Sequence, residues 1–344
     1  MNVFIRVDAS YEIGTGHVMR CLTLAHRLKK EGKTIAFICR RAEGNCIDLI
    51  EQQGFYVYKL PTCEGSLWTY VLEQWETDAK GTIEILQQHY VKKLIVDHYS
   101  IDVKWELAIR PFTKKIMIID DLANRQHDCD ILLDQNFYLN KDARYDGLVP
   151  PNATLLLGPN HALLREEFIE AKKYIQPFKG KIERLFVFFG GSDPTNETEK
   201  VLLAIKPIID QYKLIVDVVV GNSNPNKLKI KRLCNEIVKA HYHCQVNNIA
   251  ELMTQADLAI GAGGATTWER IFLQLPTIVI AVAENQIEIA KATHQKGVCI
   301  YLGLYNEIFI KDIQNAIGEM LNSNILINKM ISNMENFFTS GSTE

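Results

Sequence analysis

Three glycine-rich turns that follow short apolar runs are the segments of this sequence best suited to chemistry. Their sequences are IGTGH at residues 13–17, FFGGSDP at 188–194 and IGAGGATTWER at 260–270. Glycine lets a backbone approach a phosphate closely, and the free N–H groups of a following helix point at that anion. Glycines also simply terminate strands, so one turn is a weak indication, whereas three together favour an anionic ligand. The residues expected to bind it are Gly14, Thr15, Gly16, Gly190, Gly191, Ser192, Gly263, Gly264, Ala265 and Thr266.

A carboxylate and two amides accompany the third turn. Glu269 lies about one turn into the helix expected after GAGGATT, and AENQ at 283–286 follows the apolar run PTIVIAV. A carboxylate near a helix start is an ordinary solvated placement that the helix dipole favours. A phosphate bound there would repel Glu269 unless the carboxylate contacts another group, and the hydroxyls of an attached ribose are suitable partners. Asn285 and Gln286 are candidates for binding sugar hydroxyls, with helix capping as the alternative.

The apolar runs that precede these turns predict strands that alternate with helices. In the first half of the chain the predicted strands are NVFIRVD, TIAFICR, FYVYKL, KLIVDHY and KIMIID. Residues 17–31 have helical periodicity, and Gly32 follows as a C-cap signal. This alternation is typical of a doubly wound parallel sheet, which binds ligands at the carboxyl ends of its strands.

A stretch rich in proline, glycine and asparagine, residues 139–165, interrupts the alternation and predicts a domain boundary or linker. The alternation then restarts with RLFVFFGGSD, KLIVDVVVG, HCQVN, ADLAIGAGG and PTIVIAV. We therefore predict two Rossmann-like domains, residues 1–160 and 161–338, with the ligand in the cleft between them. The second domain is expected to end in a helix at NKMISNMENFF, before a disordered tail at 339–344.

Composition excludes several classes of function. The net charge of −3 provides no basic field for nucleic acid, and no apolar run approaches the roughly 20 residues of a membrane span. The eight cysteines form no Cys-x-x-Cys pair, and no secretory signal is recognisable, which together favour free thiols in the cytoplasm. HYHC at 241–244 and HDCD at 127–130 lack a recognised ligand spacing, so we expect no metal site.

Two motifs resemble known sugar-nucleotide enzymes. The order Gly-x-Gly-Gly-x-Thr-x-x-Glu, a proline-led strand and Asn-Gln resembles the donor half of GT-B enzymes such as the lipid II-forming N-acetylglucosaminyltransferase. The segment RVDASYEIGTGHVMRCLTLA is similar to the signature of the UDP-2,4-diacetamido-2,4,6-trideoxy-β-L-altropyranose hydrolases of pseudaminic acid biosynthesis, and of related spore-coat polysaccharide proteins. The resemblance covers nearly the whole chain and includes VDHY at 96–99, IDDLANR at 119–125, LLDQN at 132–136 and FFGGSDPTN at 188–196.

The resemblance implies a GT-B-like fold whose first domain holds the sugar site and whose second domain holds UDP. It implies hydrolysis of the bond between the anomeric carbon and UDP, with inversion and without metal or cofactor. It also implies that His17 is the base that activates water, where a helix-capping or packing role is the alternative. An imidazole can accept a proton near neutral pH, and the departing UDP is an anion that helix N–H groups can stabilise.

Several assignments stay open at this stage. Arg6 and Asp8 are expected in the substrate site, with a purely structural role as the alternative, and Tyr99 is expected to contact sugar or water. The sequence leaves the roles of Asp97, His98, Asp120 and Asp121 undecided. The alternative functions are a GT-B glycosyltransferase for surface or spore-coat polysaccharide and a non-catalytic nucleotide-sugar-binding protein. We expect the free sugar to serve surface glycans, glycosylated flagellin among them, and a monomer rather than an oligomer.

Overall fold

The computed structural model describes residues 2–338, so the tail predicted at 339–344 lies outside the described residues. The chain divides into two compact units between Leu163 and Leu164. Each unit is built on one parallel sheet flanked by helices. No helix within residues 2–338 combines the length and the apolar character that a membrane crossing requires.

The first unit contains a seven-stranded parallel sheet with the strand order β3-β2-β1-β4-β5-β6-β7. Its strands are β1 (Val3–Val7), β2 (Ile35–Arg40), β3 (Tyr56–Leu60), β4 (Lys93–Asp97), β5 (Ile116–Ile119), β6 (Ile131–Asp134) and β7 (Thr154–Leu157). Its helices are α1 (Gly16–Lys30), α2 (Ile47–Gln52), α3 (Leu67–Glu73), α4 (Trp75–Leu86) and α5 (Val103–Ile109), with 3-10 turns at Arg110–Phe112, Lys141–Ala143 and Pro159–His161. The order reverses direction between β1 and β4, which makes their carboxyl ends the switch point of the sheet.

Successive side chains of the central strands pack into cores on opposite faces of this sheet. In β1, Val3, Ile5 and Val7 join one core, whereas Phe4 joins the other. Helix α1 packs Val18 and the small side chain of Ala25 against the first of these cores. Burial on both faces explains why the strands read as continuous apolar runs rather than as alternating ones.

The sequence prediction fails in two short strands of this unit. The stretch 139–165 is not a linker over its whole length, because it contains β7, which pairs with β6 in parallel. Both strands have only four residues, and β7 lies among prolines and glycines that mask its pattern. Gly32, by contrast, has φ of +77°, as a glycine that ends a helix requires.

The second unit contains a six-stranded parallel sheet with the strand order β10-β9-β8-β11-β12-β13. Its strands are β8 (Arg184–Phe188), β9 (Ile215–Val220), β10 (Ala240–Cys244), β11 (Leu258–Ala262), β12 (Thr277–Ala281) and β13 (Ile300–Leu304). Its helices are α6 (Glu166–Ala171), α7 (Glu197–Ile205), α8 (Ile209–Tyr212), α9 (Lys227–Glu236), α10 (Ile249–Gln255), α11 (Thr266–Phe272), α12 (Ile287–Gln295), α13 (Ile310–Asn322) and α14 (Asn324–Phe337), with 3-10 turns at Lys172–Tyr174 and Glu284–Gln286. The switch point here lies between β8 and β11.

Two strand assignments in this unit need correction. The strand predicted at HCQVN lies three residues earlier, because β10 spans Ala240–Cys244 and pairs with β9. Strand β13 was not predicted at all, although it pairs with β12 at the edge of the sheet. Its residues are only half-buried, so their apolar pattern is weaker than that of the central strands.

Candidate active site

The switch point of the first sheet brings together two segments that are far apart in sequence. The turn after β1 leads into α1, so that His17 lies in the first turn of that helix. Asp97 is the last residue of β4, the strand that pairs with β1. The two side chains meet with His17 Nδ1 2.6 Å from the Asp97 Oδ1 atom.

This contact determines which nitrogen of His17 can act as a base. A carboxylate only accepts hydrogen bonds, so the hydrogen of the neutral imidazole resides on Nδ1 and points to Asp97. The other nitrogen, Nε2, is then left with a free lone pair. Both side chains are largely shielded from solvent, with His17 8% and Asp97 1% exposed.

Arg20 lies one helical turn after His17 and holds Asp97 from the other side. Its Nε donates to Asp97 Oδ2 at 2.6 Å, and its Nη2 donates to Asp97 Oδ1 at 2.7 Å. Burial by itself would raise the pKa of Asp97, but the charge of Arg20 and the contact with His17 outweigh it and hold that pKa below its usual range. Asp97 is therefore a carboxylate at neutral pH.

Two aromatic side chains enclose the imidazole. The ring of Tyr99 meets that of His17 edge to face, with 4.5 Å between their centroids. Trp68, from α3, stacks on Tyr99 with 5.5 Å between centroids and 11° between planes. The Tyr99 hydroxyl donates to Asp121 Oδ1 at 2.5 Å, and burial raises the pKa of this phenol above its usual value. Trp68 is not among the site residues that the sequence predicts, because nothing in its local sequence marks it.

The glycine turn before α1 is a tight, internally bonded loop. Gly14 has φ of +77°, and its N–H donates to the carbonyl of Ser10 at 2.8 Å. Thr15 precedes α1, and its side chain makes no capping hydrogen bond, while Gly16 opens the helix. The loop is tied to the start of α3, because Ser66 Oγ donates to Glu12 at 2.8 Å. These contacts place the turn beside the residues that surround His17.

Arg6 and Asp8 lie inside an ion network beneath the turn. Arg6 Nη1 lies 2.6 Å from Asp8 Oδ1, and Arg6 Nη2 lies 2.8 Å from Asp78 Oδ2. Asp8 also accepts a hydrogen bond from the backbone N–H of Arg40 at 2.7 Å. Arg6 is 0% and Asp8 1% exposed. Their predicted contact with substrate stays a prediction, and this burial favours the structural alternative for both.

The remaining polar residues of these loops hold the backbone together. His98 Nδ1 accepts from the N–H of Ser100 at 3.1 Å, and burial lowers the pKa of His98 despite nearby Asp8. Asp120 accepts from the N–H of Ala123 at 2.9 Å and lies 2.8 Å from Arg125 Nη1. These contacts indicate structural roles for His98 and Asp120.

In the second unit, the glycine turn after β8 lies at the switch point of that sheet. Gly190 has φ of +92°, which favours glycine. Gly191 packs so closely on Gly221 that a Cβ atom at Gly221 would lie 2.3 Å from the Gly191 carbonyl oxygen. Ser192 follows, and Asp193 accepts from the N–H groups of residues 197 and 198, at 3.0 and 2.9 Å, at the start of α7. The turn is thus held in place by its packing on Gly221 and by the hydrogen bonds of Asp193 to the start of α7.

The turn after β11 is held by an amide from the 3-10 turn that follows β12. Gln286 Oε1 accepts from the N–H of Gly263 and from that of Val282, both at 3.1 Å. Because this oxygen already accepts two backbone hydrogen bonds, a sugar contact of Gln286 would use its amide nitrogen. Asn285 is exposed, and the turn continues through Gly264, Ala265 and Thr266 into α11.

Glu269 is a buried carboxylate with one free oxygen. Arg165 Nε donates to its Oε1 at 2.9 Å, while Oε2 is buried without a hydrogen-bond partner among the described residues. The free oxygen is suited to accept a hydrogen bond from a ligand hydroxyl, so the predicted ribose contact stays a prediction that this geometry supports.

Side chains of the segments HDCD and HYHC are already bonded to other side chains of this chain. His127 Nδ1 lies 2.7 Å from Glu106, and Asp130 binds Arg110. His243 Nε2 lies 2.8 Å from Asp217, which also binds an arginine. Within residues 2–338, no group of three or more His, Cys, Asp or Glu side chains is arranged to hold a metal ion.

Comparisons with known proteins connect this geometry to a family. Residues 185–344 match the glycosyltransferase family 28 C-terminal domain. MurG of Acinetobacter baumannii has the same fold, with a TM-score of 0.64 and 13% identity over 98% of this chain and 97% of that one. This likeness confirms the predicted GT-B-like fold class with two Rossmann-like domains.

Two curated relatives extend over most of the chain. The spore coat polysaccharide biosynthesis protein SpsG of Bacillus subtilis is 27% identical, over 88% of this chain and 84% of that protein. The UDP-2,4-diacetamido-2,4,6-trideoxy-β-L-altropyranose hydrolase of Campylobacter jejuni is 31% identical, over 86% of this chain and 97% of that protein. Identity of this extent confirms the resemblance seen in the sequence, and the chain belongs to the family of this hydrolase.

Proposed function

We propose that this chain hydrolyses UDP-2,4-diacetamido-2,4,6-trideoxy-β-L-altropyranose to UDP and the free sugar. The Campylobacter jejuni relative carries this activity in its name. The observation that carries the proposal is the 2.6 Å contact between His17 Nδ1 and the Asp97 carboxylate. It leaves Nε2 as a hydrogen-bond acceptor, which a base that activates water requires.

In the proposed reaction, Nε2 of His17 takes a proton from a water molecule as the water oxygen attacks the anomeric carbon. The bond between that carbon and the UDP oxygen breaks, and UDP leaves with the bonding electron pair. Attack on the face opposite UDP inverts the configuration at the anomeric carbon. The imidazolium then releases its proton to solvent, which restores the base.

We assign the nucleotide to the second unit. The turns at 190–192 and 263–266 follow adjacent strands of its sheet, where open α/β sheets bind ligands. The free Oε2 of Glu269 would accept a hydrogen bond from a ribose hydroxyl. UDP is a stable anion, so backbone N–H groups can take the place of a general acid as the bond to the sugar breaks.

A glycosyltransferase is the second candidate. The match of residues 185–344 to the glycosyltransferase family 28 C-terminal domain favours it, because that match extends over most of the second unit. Such an enzyme would pass the same sugar to an acceptor hydroxyl instead of to water. His17 could serve as the base in either reaction, so the distinction requires an experiment.

The test is incubation with the nucleotide sugar alone, in ¹⁸O-water. A hydrolase releases UDP and free sugar at once, whereas a transferase requires an acceptor, and a non-catalytic binding protein shows affinity without turnover. The proposed reaction leaves UDP unlabelled and places the label on the anomeric oxygen. The sugar must be analysed quickly because ring opening can exchange that oxygen. Label in UDP would mean attack on phosphorus and would contradict the role proposed for His17.

We also propose that the protein works in the cytoplasm, in the synthesis of surface glycans such as those of flagellin. Five cysteines are buried free thiols, namely Cys21, Cys39, Cys129, Cys234 and Cys299. Buried unpaired thiols suit a reducing compartment. The net charge of −3 agrees with a small nucleotide sugar, rather than nucleic acid, as the partner.

A further inference from the structure

Arg20 joins the carboxylates of two neighbouring strand ends. Its Nε and Nη2 donate to the two oxygens of Asp97, and its Nη1 donates to Asp121 Oδ2 at 3.0 Å. Asp97 ends β4, and Asp121 lies two residues beyond β5, the next strand of the sheet. The arginine is only 9% exposed, so these bonds are largely shielded from water. A single guanidinium therefore fixes both carboxylates at once.

Each of the two carboxylates in turn takes the hydrogen of an aromatic side chain. Asp97 accepts from His17 Nδ1, and Asp121 accepts from the Tyr99 hydroxyl at 2.5 Å. A neutral imidazole and a phenol have one polar hydrogen each, so neither has a second one to donate. The Nε2 atom of His17 and the oxygen of Tyr99 therefore remain as acceptors on two side chains whose rings meet edge to face at 4.5 Å.

We propose that Arg20 is a positioning residue that, by bridging Asp97 and Asp121, holds His17 and Tyr99 as paired acceptors for the two hydrogens of the attacking water. This inference rests on the proposed hydrolysis. A water molecule that donates both of its hydrogens keeps its lone pairs free for the anomeric carbon. Arg20 itself touches none of the reacting atoms, and it acts through the two carboxylates.

The test compares the steady-state kinetics of nucleotide-sugar hydrolysis by Arg20→Met with those of the wild type. We expect kcat to fall at least about tenfold with little change in KM, because the water is positioned in the transition state. Arg20→Lys keeps the charge but cannot bridge both carboxylates, so its kcat should fall as well, again with little change in KM.

The control is Arg184→Met in the second unit, which removes the Arg184 Nε bond to buried Asp217, 2.6 Å long. It should lower thermal stability while leaving kcat and KM unchanged. If Arg20→Met behaves like this control, Arg20 is merely structural and the inference is overturned. If Arg20→Met does not fold, Arg20→Gln removes the same charge and carries the same expectation.

A readout without turnover separates this inference from the proposed function. Side-chain ¹⁵N NMR of His17, assigned with His17→Gln, reports the tautomer of the ring directly. We expect hydrogen on Nδ1 in the wild type and a mixture of the two tautomers in Arg20→Met, because Asp97 is no longer held against Nδ1. If the wild type does not hydrolyse the nucleotide sugar but this change occurs, the proposed reaction fails and the positioning of His17 stands. The same single tautomer in both proteins overturns the inference, whatever the activity.

Discussion

Arg165 holds one carboxylate oxygen of Glu269 and leaves the other without a partner. Its Nε donates to Oε1 at 2.9 Å, while Oε2 is buried with no hydrogen bond among the described residues. Burial raises the pKa of Glu269 above its usual value, even though the charge of Arg165 opposes this shift. A buried acceptor without a donor costs stability, and a ligand hydroxyl would remove that cost on binding.

Glu269→Ala should therefore weaken UDP binding and raise KM by about tenfold or more, since a lost charged hydrogen bond costs on the order of 1.5–3 kcal/mol. A residue that binds ground and transition states alike changes KM and not kcat, so turnover at saturating substrate should persist. Calorimetry with UDP and initial rates of UDP release measure the two effects.

The control is Glu167→Ala, because Glu167 also contacts Arg165, at 2.6 Å, but its side chain is 30% exposed, compared with 10% for Glu269. Loss of turnover with an unchanged KM in Glu269→Ala would contradict the ribose contact and would indicate a direct role in the chemistry.

His17→Leu should reduce kcat by a factor of about 10² to 10⁴, the usual contribution of a general base. Its affinity for UDP should change little, because the imidazole is proposed to act on water. His26→Leu is the matched control: it lies on the same helix and contacts Gln53 at 3.2 Å, away from Asp97. A loss of less than tenfold in a folded His17→Leu variant would contradict the assignment of the base.

The fold was predictable where strands are long and buried on both faces. β1 and β11 each have five buried residues, apolar apart from Arg6 in β1, and such short runs followed by glycine turns favour strands over helices. β6 and β7 were missed because each has four residues, and the edge strand β7 has no fully buried residue. Edge position weakens the apolar pattern on which sequence interpretation depends.

The candidate site was only partly predictable, because its contacts join distant segments. The glycine turn and His17 share one motif, but Asp97 lies 80 residues beyond His17. The spacing of Arg20 could have indicated that it belongs to the site. It lies three residues after His17 in a predicted helix, which places both side chains on one face. Trp68 carried no signal, since its place beside Tyr99 follows only from the packing of α3.

Asp134→Asn should become more stabilising, relative to the wild type, as pH rises. Burial raises the pKa of Asp134 to about 7, above the value of about 3.9 expected in the unfolded chain. Between these values the unfolded state binds fewer protons than the folded state, so this group makes the wild type lose stability as pH rises from about 4 to about 7. An amide keeps an acceptor for the Tyr145 hydroxyl, 3.0 Å away, and does not titrate.

Urea unfolding at several pH values measures the difference in free energy of unfolding between Asp134→Asn and the wild type. This difference should grow by roughly 4 kcal/mol at most between pH 4 and pH 7. Below about pH 4 and above about pH 7 the difference should be constant. Parallel stability curves for the two proteins would show that the Asp134 carboxyl ionises in the folded state as it does in the unfolded one.

Gly221→Ala should destabilise the second unit and disturb the Gly191 turn. The added methyl group would lie 2.3 Å from the Gly191 oxygen, and overpacking of this kind costs about 1–3 kcal/mol. Gly318→Ala is the matched control, since a Cβ there meets nothing within 4 Å in α13 and should stabilise that helix by about 1 kcal/mol. Equal effects of the two substitutions on unfolding and on UDP affinity would contradict this view of the turn.

Asp97→Asn should abolish most hydrolysis without weakening UDP binding. The amide is nearly the same size as the carboxylate, but its nitrogen can donate to His17 Nδ1, which favours the tautomer with hydrogen on Nε2. That tautomer cannot take a proton from water, and Arg20 loses its charged partner. Loss of a base in this way should lower kcat by about 10² to 10⁴, a range typical of general-base catalysis. UDP release gives kcat, and calorimetry gives the affinity for UDP.

Because Asp97 is buried, Asp97→Asn also removes an ion pair, so a loss of activity must be separated from a loss of folding. Asp217→Asn provides the comparison: Asp217 is equally inaccessible, and Arg184 and His243 hold it at 2.6 and 2.8 Å in the other unit. Both variants should melt at lower temperature than the wild type, since breaking a buried pair costs about 3–5 kcal/mol. Only Asp97→Asn should have a lower kcat when the rate is calculated per folded molecule. Equal kcat for the two folded variants would mean that Asp97 serves the fold alone and that another group orients His17.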